Sequence, residues 1–313
     1  MIGAGLCLAL LVVLSLAIGV QELSLSGTDS AMPFADLMAI SRLPRTLAAV
    51  LCGAGLAVAG QIMQTLTRNR FVEPSTAGTA QSAALGILIV TLFLPAAGLG
   101  VKALVASGCS LAGTALFLAT AHRLPPEQPH LVPLFGLVYG GVVGAAVTYV
   151  AWQTDLLQYL DIWTNGEFSG VLKGRYELLF VAVVIVAAAI VIADRLTIMA
   201  LGEDQATSLG IDYRRMTQIG LVLVSVMSAL SVVVVGLIPF VGLVVPNLVS
   251  RLSGDNLRGT LPLVALGGAI LVLASDIAGR VMRFPYEIPV GTVMGVIGPA
   301  IFLWFILRER RDA

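Results

Sequence analysis

The sequence predicts an all-α polytopic membrane protein of about ten transmembrane helices, and three observations predict it. The 313 residues are 58% hydrophobic and only 12% charged, whereas a soluble domain carries about 25% charged residues. Mean hydropathy is +0.97, and the apolar residues gather in runs near the ~20 residues that a helix needs to cross a bilayer. Helices satisfy their own backbone polar groups in lipid, so the runs read as helices rather than loops or open strands.

Taken between charges, the segments are Met1–Gln21, Thr46–Thr67, Pro74–Val101, Ala103–Ala121, Gln128–Thr154, Leu178–Ala193, Met216–Ser250, Gly259–Ser275 and Ile288–Leu307. Met1–Gln21 lacks a basic start and a small-x-small cleavage site, so it reads as a first span rather than a signal peptide. Met216–Ser250 is too long for one span, and "GLIPF" (Gly236 to Phe240) supplies a Gly–Pro break. Splitting it there makes ten helices, the eighth short. With the N-terminus in the cytoplasm, eleven arginines fall inside (68, 70, 123, 195, 214, 215, 251, 258, 308, 310, 311). Seven basic residues fall outside (42, 45, 102, 173, 175, 280, 283), together the eighteen of the chain. Basic residues favour the cytoplasmic side, so both termini are expected there.

Glycine and alanine are dense in "AVLCGAGLAVAG" (Ala49 to Gly60), "YGGVVGAA" (Tyr139 to Ala146) and "LGGA" (Leu266 to Ala269). Small side chains allow membrane helices to approach closely. Cys7, Cys52 and Cys109 are far apart within apolar runs and read as small hydrophobes. "HRLPPEQPH" (His122 to His130) is a proline-rich turn whose histidines lack neighbouring metal ligands. Net charge is formally zero, with no basic excess pointing to nucleic acid.

Several chemistries lack their residues. The chain has no G-x-x-x-x-G-K-[ST] phosphate loop, so it does not hydrolyse ATP alone. "LSGDN" (Leu252 to Asn256) faintly resembles an ATPase signature but stands at the end of a membrane helix. No catalytic motif of a hydrolase or metalloprotease is present, which disfavours an intramembrane enzyme. A self-energised carrier or channel usually needs ionisable groups within its spans. Here the acids fall at the expected span edges, so the driving energy is expected from a partner.

One polar insert stands apart: "ALGEDQATSLGIDYRR", Ala200 to Arg215. Gly202 and Gly210 bracket it, with Leu201, Ala206 and Leu209 as its main apolar contacts. Glu203 and Asp204 suit a helix N-terminus, and Asp212 can cap a second short turn. A compact cytoplasmic knob of two brief helices is expected, with a plain solvated loop as the alternative. On the outer side, Arg42 and Arg45 in "RLPR" and Arg280 in "DIAGR" either anchor locally, with Asp276 or Glu287 as partners, or meet another protein. Gln61, Gln64 and Asn247 put polar groups in helices two and eight, where they line a cavity or bind neighbouring backbone.

The insert "LGEDQATSLGI" resembles the coupling loop of the iron-siderophore and vitamin B12 permease family, the membrane subunits of type II ABC importers. In family order follow likenesses at Arg42–Arg70, Glu73–Leu88, "GLIPFVGLVVPN" (Gly236 to Asn247), "DIAGR" (Asp276 to Arg280) and Glu287–Ile306. The resemblance covers almost the whole chain and implies one permease domain, residues 1–313, with its coupling loop at about 200–215. It implies that Leu201, Gly202, Glu203, Asp204, Ala206, Leu209 and Gly210 dock on a cytoplasmic ATPase dimer, which carries the ATP and magnesium. It implies further that Arg42, Arg45 and Arg280 dock a substrate-binding protein, and that the chain itself holds no cofactor and no metal. Two departures weaken a wholesale transfer: "PNLVS" (Pro246 to Ser250) stands where the family commonly has PHIAR, and "RNRFVEP" (Arg68 to Pro74) where it has RNPLADP. "NRFVEPSTAG", "GDNLR" and "YEIPVGTV" are most similar to the subgroup for catecholate ferric siderophores, with cobalamin or haem as the alternative cargo. A second, different permease is the expected partner within a bacterial inner membrane, and a homodimer is the alternative.

Overall fold

The computed structural model describes residues 1–18, 36, 38–125, 128 and 130–312. Residues 19–21 of the first expected span, and 126, 127 and 129 of the proline-rich turn, lie outside the described residues. Those described contain thirteen α-helices. They are α1 (Ile2–Ala17), α2 (Leu43–Thr67), α3 (Thr79–Phe93), α4 (Leu99–Ala121), α5 (Leu131–Gln153) and α6 (Leu157–Thr164). Then come α7 (Val181–Val191), α8 (Ala193–Met199), α9 (Glu203–Ser208), α10 (Tyr213–Val234), α11 (Val241–Ser253), α12 (Leu257–Val281) and α13 (Val290–Asp312). A π-helical turn, Met38–Arg42, leads into α2, and a 3-10 turn, Tyr176–Phe180, leads into α7.

Among the described residues, five helices are long and apolar enough to cross a bilayer: Met38–Thr67, α4, α5, α10 and α12. Tyr176–Val191 and α8, bent by 63° at the break between them, are together long and apolar enough for a sixth. Four shorter apolar helices, α1, α3, α11 and the Val290–Trp304 part of α13, complete ten. The third expected span is shorter than hydropathy suggests. Pro74 cannot donate within a helix and Gly78 takes a left-handed φ of 73°, so Glu73–Gly78 runs as irregular backbone and α3 begins only at Thr79.

The core is built on α2, which packs along α12 and also meets α10 and α11. Its contacts with α12 and α11 are backbone to backbone. A Cβ on Gly53 would lie 2.3 Å from the Gly268 carbonyl oxygen, and one on Gly60 would lie 2.2 Å from Gly242 Cα. That is the close approach expected from the small-residue runs. α3 and α4 pack as a pair against α10. α5 keeps most of its apolar side chains on the outside, including Leu137, Val142 and Trp152, as a face bordered by lipid or another subunit would.

α11 is a half-length helix. Phe240, at its N-cap, has φ 68°, a conformation that a bulky residue adopts only when neighbours hold it there. Inside the helix, Pro246 has no N–H to give the carbonyl four residues back, that of Gly242. The side chain of Gln64 replaces it, its Nε2 donating to Gly242 O at 3.1 Å.

Candidate functional site

The polar insert folds as a knob between α8 and α10. Gly202 turns the chain with φ 110° and ψ 167°, a region closed to most L side chains. The short α9 follows, with Glu203 and Asp204 in its first turn, where the exposed N–H groups favour negative charge. Gly210, at φ 80°, ends it, and the Ile211 N–H returns to the Ala206 carbonyl at 2.9 Å. Asp212 caps α10, its Oδ1 accepting from the Arg215 N–H at 2.9 Å. The expected second short helix is therefore the first turn of α10 itself. Ala206 is fully buried, while Leu201 and Leu209 are 57% and 61% exposed. The knob thus presents two leucines and two carboxylates from a backbone pinned at both ends.

Beside the knob opens a cavity of about 370 Å³. Gln61, Gln64 and Asn247 all line it, with Arg68, Arg70 and Leu201 among their neighbours. Two of the three amides are also committed to backbone. Gln64 holds Gly242 O, and Asn247 Nδ2 donates to Arg70 O at 2.9 Å and Leu243 O at 2.7 Å. The walls of the cavity are the knob-side ends of α2, α8 and α11 with residues 68–70 and the start of α12, and polar side chains are interspersed with apolar surface.

At the opposite end, Arg42, Arg45 and Arg280 turn inward. One carboxylate, Asp276, serves two guanidiniums, with Arg45 and Arg280 each at 2.7 Å. Arg45 also meets Glu287 at 2.9 Å. Arg42 donates to the carbonyls of Leu16 and Ala17, and Arg280 to those of Ser15 and Ile18. These are the orphan carbonyls at the C-terminus of α1, which favour a cation. Asp276 and Glu287 are the local partners that the alternative reading named. The acids are not all at the span edges, because α12 continues to Val281 and carries Asp276 and Arg280 within it.

Sequence reasoning missed Glu73. It is 2% exposed, and its carboxylate accepts the Phe240 N–H at 2.8 Å and the Ser75 hydroxyl. The amides of Gly242 and Leu243 also face it. Glu73 therefore caps α11 from a segment far away in sequence. The signal was present: an acid beside a proline at the edge of a long apolar run is costly to bury without a partner.

Comparisons with known proteins decide the class of machine. The FecCD transport family matches residues 7–308. The chain belongs to the FecCD transport family. This FecCD protein is 43% identical over 307 residues to the petrobactin import system permease protein YclN of Bacillus subtilis, covering 98% of this chain and 97% of that one. It is 42% identical over 268 residues to the ferric-anguibactin transport system permease protein FatD of Vibrio anguillarum, covering 86% and 85%. The vitamin B12 import system permease protein BtuC of Vibrio cholerae is 35% identical, with 86% and 82% covered. Among solved structures, an inward-facing metal-chelate type ABC transporter superposes with a TM-score of 0.83 at 26% identity, over 98% of each chain. The FecCD chain is thus a membrane-embedded permease subunit of an ABC importer, a conduit rather than an enzyme.

Proposed function

We propose that this permease imports a ferric siderophore of the catecholate type across the bacterial inner membrane, driven by a separate ATPase and fed by a binding protein. The observation that supports this cargo most directly is the 43% identity, over almost the full length, to a petrobactin permease, against 35% to a vitamin B12 permease. The whole chain acts as one permease domain, with both termini cytoplasmic and the knob facing the ATPase.

The knob supports the coupling role by its construction. Leu201 and Leu209 offer apolar contact, Glu203 and Asp204 offer charge, and the backbone around them is held by hydrogen bonds. ATP and magnesium sit on the partner, whose closure would push the knob as a rigid body. Gln61, Gln64 and Asn247 border the inner end of the pathway, which a second permease, most simply a different one, completes. The outer arginines steer the binding protein by net positive charge: Arg45 and Arg280 share Asp276 and Glu287, while Arg42 is held by the Leu16 and Ala17 carbonyls.

The test is uptake into proteoliposomes holding the permease pair and its ATPase, with binding protein added. Ferric catecholates, ferric hydroxamates, haem and cobalamin are supplied in turn. ATP-dependent uptake of a ferric catecholate is expected. Uptake of cobalamin or haem alone would overturn the cargo, and uptake without ATP would overturn the machine.

A further inference from the structure

The segment after α2 does not stay at the membrane surface. Glu73 Oε2 would lie 3.3 Å from a Cβ on Gly242, and Gly242 packs on Gly60. Gly60 stands seven residues before the end of α2 at Thr67, or about 10 Å into the bundle at 1.5 Å per residue. The segment therefore climbs back beside α11 and places its carboxylate against that helix's N-terminus.

It is gripped along the length of α11. At the top, Glu73 holds the Phe240 amide. Near the bottom, Asn247 holds the Arg70 carbonyl, and Arg70 pairs with Asp255 at 2.8 Å, just past the helix. On its other side the segment presses on α5. A Cβ on Gly136 would lie 2.5 Å from the Thr76 carbonyl oxygen, and Gly78 Cα lies 3.3 Å from where a Cβ of Gly140 would be. Residues 254–256 join the inner end of α11 to α12, whose first residue reaches the knob's own support: the Leu257 amide donates to Thr197 Oγ1 of α8 at 3.2 Å.

We propose that Glu73 is a positioning residue for transport: its carboxylate latches α11 to residues 70–78, so that displacement of the knob reaches α5 as movement of one body. This rests on the coupling role given to the knob above. The path runs from α9 and α8 to Leu257 at the start of α12, back along residues 254–256 to α11, and on through Glu73 and Thr76 to α5. At the N-terminal end of α11 two side chains from elsewhere in the chain take hold: Gln64 fastens the Gly242 carbonyl to α2, and Glu73 fastens the Phe240 amide to residues 70–78. Without Glu73 the N-terminus of α11 loses the acceptor for its first amides, and Phe240 loses the contact that holds its left-handed backbone. Gln64 and Gly60 would still keep α11 on α2, but force entering at the inner end of α11 would no longer pass through its N-terminus to residues 70–78 and α5.

The experiment compares wild type with Glu73→Gln, Glu73→Ala and Glu73→Asp in the complete reconstituted importer, measuring ATP hydrolysis and uptake of the ferric catecholate together. Glu73→Ala is expected to lower iron imported per ATP hydrolysed by about tenfold, the size of a typical coupling between sites, while hydrolysis persists. Glu73→Gln, nearly isosteric, should fall between, and Glu73→Asp should recover part of the ratio because it keeps the charge. If Glu73→Ala does not assemble, Glu73→Gln carries the comparison. A ratio equal to wild type in Glu73→Gln and any assembled Glu73→Ala rejects the latch. So does a loss of both activities in proportion to folded complex, which a merely structural role would give. Failure of the wild type to show ATP-dependent uptake would reject the functional reading instead.

Discussion

Asp276 is the residue on which the end of the bundle opposite the knob should depend most. Its carboxylate is 3% exposed and lies 2.7 Å from both Arg45 and Arg280. Asp276→Ala leaves the buried Arg280 guanidinium without an acid, facing a half-buried Arg45 that keeps only Glu287. Removing one member of a buried ion pair costs about 3–5 kcal/mol, because the remaining charge is left uncompensated. Glu287 is a different case. It is 25% exposed and serves Arg45 alone, which keeps Asp276 when Glu287 is lost. Glu287→Ala should therefore cost about 1 kcal/mol or less. The double variant Asp276→Leu with Arg280→Leu should be milder than Asp276→Ala, since it removes a cation along with the acid. Cys52 offers the assay. It is fully buried, whereas Cys7 is exposed and Cys109 half-buried. With Cys7 and Cys109 replaced by serine, labelling of Cys52 by a thiol-reactive dye reports unfolding on heating. Asp276→Ala should lower the midpoint by on the order of 10 °C and Glu287→Ala by a few degrees at most. A shift for Asp276→Ala no larger than that for Glu287→Ala would refute the reasoning. The same geometry governs the docking experiment. Arg42→Glu with Arg45→Glu should weaken capture of the binding protein, and capture must be compared at equal amounts of folded permease.

Gln64→Leu removes the donor that serves the Gly242 carbonyl in place of Pro246, and an unsatisfied buried acceptor costs about 1–3 kcal/mol. The Cys52 assay should show Gln64→Leu destabilised more than Gln61→Leu, and equal midpoints would contradict that role. Gly202→Trp forces a large side chain onto a φ of 110°, so the purified permease should lose co-purifying ATPase and uptake together. Retention of both would reject docking at the knob.

Much of the architecture follows from properties that are local in sequence. Hydropathy runs located ten apolar spans because a bilayer sets the length of a helix, and the "GLIPF" break marked the half-length α11. Gly202 and Gly210 turn the chain where glycine's freedom is needed, and Glu203, Asp204 and Asp212 occupy helix starts that stabilise acids. Glycine pairs such as Gly53 with Gly268 were visible as small-residue runs, although nothing local says which run meets which.

The direction and partnership of each charge belonged to the tertiary structure alone. Arg45 meets Asp276 across 231 positions of sequence, and Glu73 meets Phe240 across 167. Hydropathy averages a window and assigns an acid to the nearest edge, so it moved Asp276 out of α12 and hid Glu73 beside a span that was read too long. A buried charge is tolerable only when its partner is in place, and only the folded bundle decides which distant residues become neighbours. The chain by itself determined a helical protein for lipid with a polar knob between two spans. Packing determined which arginines are fastened inward and which carboxylate grips α11, because those energies depend on distance in space rather than separation along the chain.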